Sequence, residues 1–519
     1  MWLLCWTVLF LVALGLQWRS QAYSSDLGGD PDEAAHAVTS LMVRDYLFQA
    51  PGSHPLRFAE DYYERMPKVA LGHYPPGFYA LAGLWLAPLV SIKSLLLLQA
   101  VLLASLGTLT AWFASRVVSL RLGAAVGLLV CLAPPIQKLT SLVMSDLLLA
   151  LVCLVAAIAM AKFVERPGKG AALAFGFAAA AAILIKGSGL MLALVPPLVI
   201  AFTGQWRVIL RPVLWLAPLP VLLFAFPWQL FSYKFTKEGM SGLTVGRHFQ
   251  KAFAYYGEAA ERNVGWPFAI LLGVMLALAL VRRLRGQLTG ATEASLWALL
   301  LAGLVLVFTV PAGMSPRYLV PLIAPAFAVA VLVVASTGHA AQPKLHGWVG
   351  WVAAGTIAVS LWLTRQVLPT DKNVHGYSHA VQVMSGAEAP VEAKQAWLVC
   401  SDARGEGAVI AAAAFDPAVR QRRGLRVLRA TKELATMDWL GRDYAPAFAD
   451  DAALLEHLKK QAVTQVVIDD SVAESARMPY YTQLSQVLAR PDSGFRLQET
   501  VPAQRGREQG PLRVYSRVP

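Results

Sequence analysis

Leu142-Val143-Met144-Ser145-Asp146-Leu147-Leu148-Leu149-Ala150-Leu151-Val152-Cys153-Leu154-Val155-Ala156-Ala157-Ile158-Ala159-Met160-Ala161-Lys162-Phe163 holds one carboxylate near its start and one lysine near its end, with no charged residue between them. A run of this length is too long for a buried strand and matches the ~20 residues that cross a bilayer core. Moving outward, similar runs occur at 1–17, 77–91, 94–117, 122–138, 170–186, 188–204, 208–232, 264–281, 294–311, 316–336 and 347–364. With 56% apolar and 15% charged residues overall, the chain reads as a polytopic α-helical membrane protein.

The formal charge is +13. Lys and Arg gather at the ends of the apolar runs, where the positive-inside rule accounts for them, so no nucleic-acid partner is expected. Cys5, Cys131 and Cys153 lie in apolar segments and Cys400 stands alone in the tail, giving neither a disulfide framework nor a cysteine-based metal site. Residues 1–17 lack a basic n-region and a convincing cleavage site before Arg19, so they read as an uncleaved first helix.

Sidedness depends on whether 77–91 crosses. If it forms only a short helix leading into the next span, about eleven spans remain, and Arg116, Arg121, Lys162, Arg166, Lys169, Arg207, Arg211, Arg282, Arg283, Arg285 and Lys344 all become cytoplasmic. Lys93 alone argues the other way. The polar segments 18–76, 233–263 and 365–519 then share the outer face of the cell's inner (plasma) membrane. A module over 1–364 would carry the first two as outer loops, and 365–519 would be an extracytoplasmic α/β domain. Its short β-like runs are Trp397–Cys400, Leu425–Leu428, Val466–Ile468 and Leu512–Tyr515, alternating with helix-like stretches such as Asp451–Gln461.

The first outer segment contains Gly28-Gly29-Asp30-Pro31-Asp32-Glu33-Ala34-Ala35-His36 and ends on His73-Tyr74-Pro75-Pro76. Carboxylates beside hydrocarbon are costly and mark chemical or transport sites. Asp32 and Glu33 also suit a helix N-terminus, and a carboxylate at the start of a membrane-parallel helix is placed to take a proton from an incoming hydroxyl or amine. The prolines stop an extended loop before a helix, which leaves His73 as a head-group-level hydrogen-bond donor. Asp146 reads equally as an N-cap or as a site residue.

Lys186 could simply snorkel, yet Lys186, Arg247, His248 and Arg317 all fall on the side of the carboxylates. Carboxylates beside cations suit group transfer from a phosphate leaving group, whose developing charge the cations stabilise. A membrane enzyme would take that phosphate on a lipid.

The order Asp-Glu-x-x-His at 32–36, Tyr-Pro-Pro-Gly-Phe-Tyr at 74–79, Ser145-Asp146, Ile185-Lys186-Gly187 and Pro316-Arg317-Tyr318-Leu319-x-Pro321 resembles the GT-C glycosyltransferases. Within them it is most similar to the bacterial aminoarabinose-transferase and protein O-mannosyltransferase branch, over residues 1–365. The resemblance implies inverting transfer of a sugar from a polyprenyl-phosphate carrier to a lipid, glycan or protein acceptor on the outer face. It also implies Asp32 as base, Glu33 orienting it or touching the acceptor, and Asp146 near the reaction centre. Lys186, Arg317, Tyr318, Arg247 and His73 would contact the donor phosphate. Tyr74 stands where that branch often has lysine. No cofactor and no metal ligands are expected, with divalent-metal dependence left open. Two other readings share these features: a transporter or flippase of lipid-linked sugars, favoured by charges midway along spans, and a non-catalytic scaffold whose tail binds a partner.

Overall fold

A computed structural model describes every residue except 238, 239, 241, 337–342, 367, 387–393, 438–442 and 519. The side chains at 333–336 and 343–347 are also outside the described set, among them that of Lys344.

Among the described residues six helices are long and apolar enough to cross a membrane: Trp2–Arg19, Ile92–Ala114, Asp146–Glu165, Pro212–Thr236, Trp266–Leu284 and Ala291–Thr309. A seventh candidate is the pair Leu120–Cys131 and Pro134–Thr140, bent by 64°. Pro134 and Pro135 cause the bend, since proline removes a backbone donor and disfavours helical geometry in the residue before it. Lys169–Ile185, Gly187–Thr203, Pro316–Leu332 and Trp348–Leu363 are shorter apolar helices. The segment 77–91 forms only Gly77–Trp85. Nine helical residues rise ~13 Å, under half of the ~30 Å hydrocarbon core.

Small residues let these helices approach. A Cβ on Gly127 would stand 2.4 Å from the Gly107 carbonyl, and one on Gly123 would stand 2.6 Å from that of Ala111. The helices Ile92–Ala114 and Leu120–Cys131 therefore pack backbone to backbone, as small-residue interfaces do within membranes. The polar segment 233–263 is mostly helical, because Val245–Val264 buries His248, Ala252, Tyr256 and Ala259 along one stripe.

The tail carries a six-stranded sheet in the order β1-β7-β8-β6-β2-β3. Its strands are β1 (Val374–His375), β2 (Gln395–Cys400), β3 (Leu425–Arg429), β6 (Val463–Asp469), β7 (Phe495–Arg505) and β8 (Glu508–Arg517), while β4 (Ala435–Thr436) and β5 (Ala445–Pro446) pair separately. β2 runs parallel to β3 and β6, and β8 is antiparallel to β6 and β7. Period-two alternation splits β2 between two cores. Trp397 and Val399 join the large core shared with the helical half, whereas Ala396, Leu398 and Cys400 face a second one with Tyr480 and Tyr481. The helix Ala403–Phe415 packs on Glu33–Gln49, so the sheet is attached to the first polar loop.

Candidate active site

Asp32 immediately precedes the helix Glu33–Gln49. Its Oδ2 accepts hydrogen bonds from the Tyr74 hydroxyl at 2.9 Å and from Arg317 Nη2 at 2.8 Å. Arg317 Nη1 also reaches Asp30 Oδ1 at 3.4 Å, and Asp30 Oδ1 accepts the Asp32 backbone N–H. One guanidinium thus bridges two carboxylates of a Gly-Gly-Asp-Pro-Asp turn, the planar fork geometry that arginine provides. Burial pushes the Asp32 carboxyl up, but the Arg317 charge and the hydrogen bonds from Arg317 and Tyr74 hold it at about 2. It is ionised at any physiological pH.

A second pair lies beside it. Lys186 Nζ donates to Asp146 Oδ1 at 2.6 Å, with both side chains buried. The same ammonium stands 5.0 Å from the Tyr318 ring centroid and 6.0 Å from that of Tyr74, so aromatic faces share its charge. Asp146 Oδ2 is buried without a hydrogen-bond partner. The motif residue Gly77 explains the closeness of Tyr74 and Lys186: a Cβ there would meet the Leu184 carbonyl at 2.8 Å. Only glycine lets the Pro-Pro turn lie against the helix end that presents Lys186.

His36 completes the cluster. Its Nδ1 pairs with the Tyr79 hydroxyl at 2.9 Å and its ring packs edge-on to Tyr74 at 4.8 Å, while Nε2 is buried without a partner. Burial holds its imidazole down at about 4, so it is neutral at physiological pH.

Asp32, Asp146, Lys186, Arg317 and Tyr318, all candidates by sequence, therefore converge. Glu33 stands apart from this cluster: it is fully buried, and both its oxygens are occupied by Gly28, Gly29, Val143 and Lys372. That corrects the expectation that it could touch an acceptor. Arg247 is exposed on Val245–Val264, and His248 is buried with Nε2 3.2 Å from the Val307 carbonyl oxygen. His73 is exposed beside Phe235. None of these three side chains pairs with the cluster, because the membrane side expected from sequence implies neither depth nor azimuth. Asp30, His36 and Tyr74 lie inside the quoted motifs without having been assigned roles, and Lys372 carried no signal. Among the described residues no three His, Cys, Asp or Glu side chains are grouped to hold a metal.

The whole arrangement sits in a known architecture. ArnT from Cupriavidus metallidurans bound to undecaprenyl phosphate superposes with a TM-score of 0.58, at 15% identity, over 98% of each chain. The fold is that of ArnT. The ArnT-like fold extends to the archaeal oligosaccharyltransferase AglB from Archaeoglobus fulgidus in complex with an inhibitory peptide and a dolichol-phosphate. That match has a TM-score of 0.56 at 12% identity and covers 90% of this chain and 69% of that one. No protein-family model and no curated protein matches the sequence. The structural likeness meets the GT-C resemblance read from the motifs, and with ArnT it takes in the sheet domain as well as the helices.

Proposed function

We propose that this protein is an inverting membrane glycosyltransferase that moves a sugar from a polyprenyl-phosphate carrier to an acceptor on the outer face. The observation that carries the reading is the convergence of Asp32, Asp146, Lys186 and Arg317, from four distant stretches of chain, around Tyr74. Support comes from the fold shared with ArnT and AglB, solved with undecaprenyl phosphate and a dolichol-phosphate respectively.

In this scheme the Asp32 carboxylate takes the proton of the acceptor hydroxyl while its oxygen attacks the anomeric carbon from the face opposite the leaving group. The carbon–oxygen bond to the carrier breaks, and its electron pair goes to the polyprenyl phosphate. Arg317 and Lys186 stabilise that charge through charge-assisted hydrogen bonds. A carboxyl held at about 2 is a weak base. Transfer of Arg317 from Asp32 to the donor phosphate raises Asp32 basicity when the donor is bound.

The eleven-span topology belongs to the same reading. The long helices, the bent pair counted once and the four shorter apolar helices make up that number. It puts the first loop, Lys186, Arg317 and the sheet on one outer side.

Asp32→Asn tests the assignment. The amide keeps the shape but cannot take the proton, so turnover should fall by about 10²–10⁴-fold with donor binding retained. Wild-type turnover in the purified variant would refute the base.

A further inference from the structure

Glu33 lies under the site, not in it. Its Oε2 accepts the backbone N–H groups of Gly28 at 2.9 Å and Gly29 at 3.0 Å. Its Oε1 accepts Lys372 Nζ at 2.6 Å and the Val143 N–H at 3.4 Å. One carboxylate thus pins the glycine turn leading to Asp30 and Asp32, the loop before Asp146, and a lysine of the C-terminal region 339 residues away. The lysine and glutamate side chains are 3% and 0% exposed.

The segment bearing Lys372 is itself held. Its backbone N–H donates to the Ser20 carbonyl at 2.8 Å, the Asp26 N–H donates to the Val374 carbonyl at 2.7 Å, and Asp371 pairs with Arg19 at 2.9 Å. The space around Glu33 is closed as well. A Cβ on Gly29 would meet Leu142 at 2.7 Å, and one on Gly407 would meet Ala34 at 3.0 Å. A buried charge pair of this kind is weak evidence of net stability, and the four hydrogen bonds of Glu33 fix the position of the turn.

We infer that Lys372 is a positioning residue for catalysis: through Glu33 it holds the turn that carries Asp32, so the C-terminal domain sets the geometry of the base. The inference rests on the proposed role of Asp32 and adds a function for the tail domain. Lys372 touches neither Asp32 nor Arg317. Its effect is therefore on the attack step and not on the capture of the donor.

The experiment measures kcat, donor KM and thermal unfolding for Lys372→Met, Lys372→Gln, Lys372→Arg and Arg420→Met in the purified full-length protein. Arg420 joins the tail to the same loop helix through Asp45 at 2.9 Å, away from the Asp32 turn, and serves as the control. Lys372→Met should lower kcat roughly 10–100-fold, the scale of a misplaced catalytic group, with donor KM within about twofold. Lys372→Gln, which still donates a hydrogen bond, and Lys372→Arg, which restores the charge, should recover part of the loss. Arg420→Met should keep kcat. Wild-type kcat in Lys372→Met, an equal fall in Arg420→Met, or a loss confined to donor KM would overturn the positioning role. So would unfolding of both Lys372→Met and Lys372→Gln, which would make Lys372 a folding residue. Asp32→Asn, assayed alongside, separates the two claims: an active Asp32→Asn brings down the reading of the site, whereas an inactive Asp32→Asn beside an active Lys372→Met brings down only the positioning role.

Discussion

Asp32 and Glu33 are consecutive carboxylates with opposite surroundings. Asp32 is about one-third exposed, paired with an arginine that is itself partly open and already shared with Asp30. Glu33 is sealed, every oxygen accounted for, against a buried lysine. The difference separates a place where bonds are to be exchanged from one where they are to persist. In the proposed scheme the donor phosphate redirects Arg317, since water and substrate can replace what it leaves. Nothing can replace Lys372 without entering a closed seam.

The largest expected effect that sharpens this contrast is on the sealed side. Glu33→Gln offers one amide and one carbonyl where two oxygens are needed, and it leaves Lys372 buried without its counter-charge. Breaking a buried pair in this way typically costs about 3–5 kcal/mol. A marked fall in unfolding temperature is expected, read by thermal denaturation in detergent. Asp32→Asn, in the more open cluster, should shift that temperature less. Equal shifts would erase the distinction.

Arg317→Ala comes next. Loss of a charge-assisted hydrogen bond is worth roughly 1.5–3 kcal/mol, or about 10–100-fold, and should appear in donor KM more than in acceptor KM. It also changes the pH response. The folded Asp32 carboxyl lies at about 2 against an ordinary 3.8, so its ion pair contributes stability above about pH 4 that is lost as pH falls through 2. Without Arg317 the largest lowering influence disappears and the window of acid loss moves upward. His36, held at about 4 against 6.5, works in the same direction, since its unfolded form takes up a proton that the folded form refuses between those values. An acceptor-only defect in Arg317→Ala would detach it from the donor.

The smallest effect concerns sidedness and should leave turnover unchanged. Cys400 is buried in the second core and Ser493 is only 2% exposed, so neither position offers a surface label. Thr500 and Gln287 are exposed. An impermeant thiol reagent should label Thr500→Cys in intact spheroplasts and Gln287→Cys only after lysis. The reverse pattern would put the tail inside and, because its helix Ala403–Phe415 packs on Glu33–Gln49, would carry the site with it.

Much of this was legible because bilayer thickness imposes a length on apolar runs. Prolines mark the irregular places: Pro134 and Pro135 bend one run, and Pro212, Pro218 and Pro220 accompany changes of helix type along the continuous stretch Pro212–Thr236. In the tail, β2, β3, β6 and β8 were readable from their apolar cores. β7 was not, because it is exposed along its first half and alternates only from Val501 onward. Asp32, Asp146, Lys186 and Arg317 were readable as charges set in or beside the polar connections between apolar runs, and the fold pairs them. Arg247 and His73 had the same signature and lie elsewhere, since a position between apolar runs does not fix which side chains it will meet. Lys372 was illegible for another reason: a lysine in a polar linker looks solvated until the fold lays that linker against residues 19–26.

The central claim is that the sugar arrives on a lipid phosphate, and it is tested most directly by supplying the purified protein with either a polyprenyl-phosphate-linked sugar or the matching nucleotide sugar together with an acceptor extract. The account predicts transfer only from the lipid-linked donor, with one polyprenyl phosphate released for each sugar transferred. Efficient direct transfer from the nucleotide sugar, without release of polyprenyl phosphate, would contradict it.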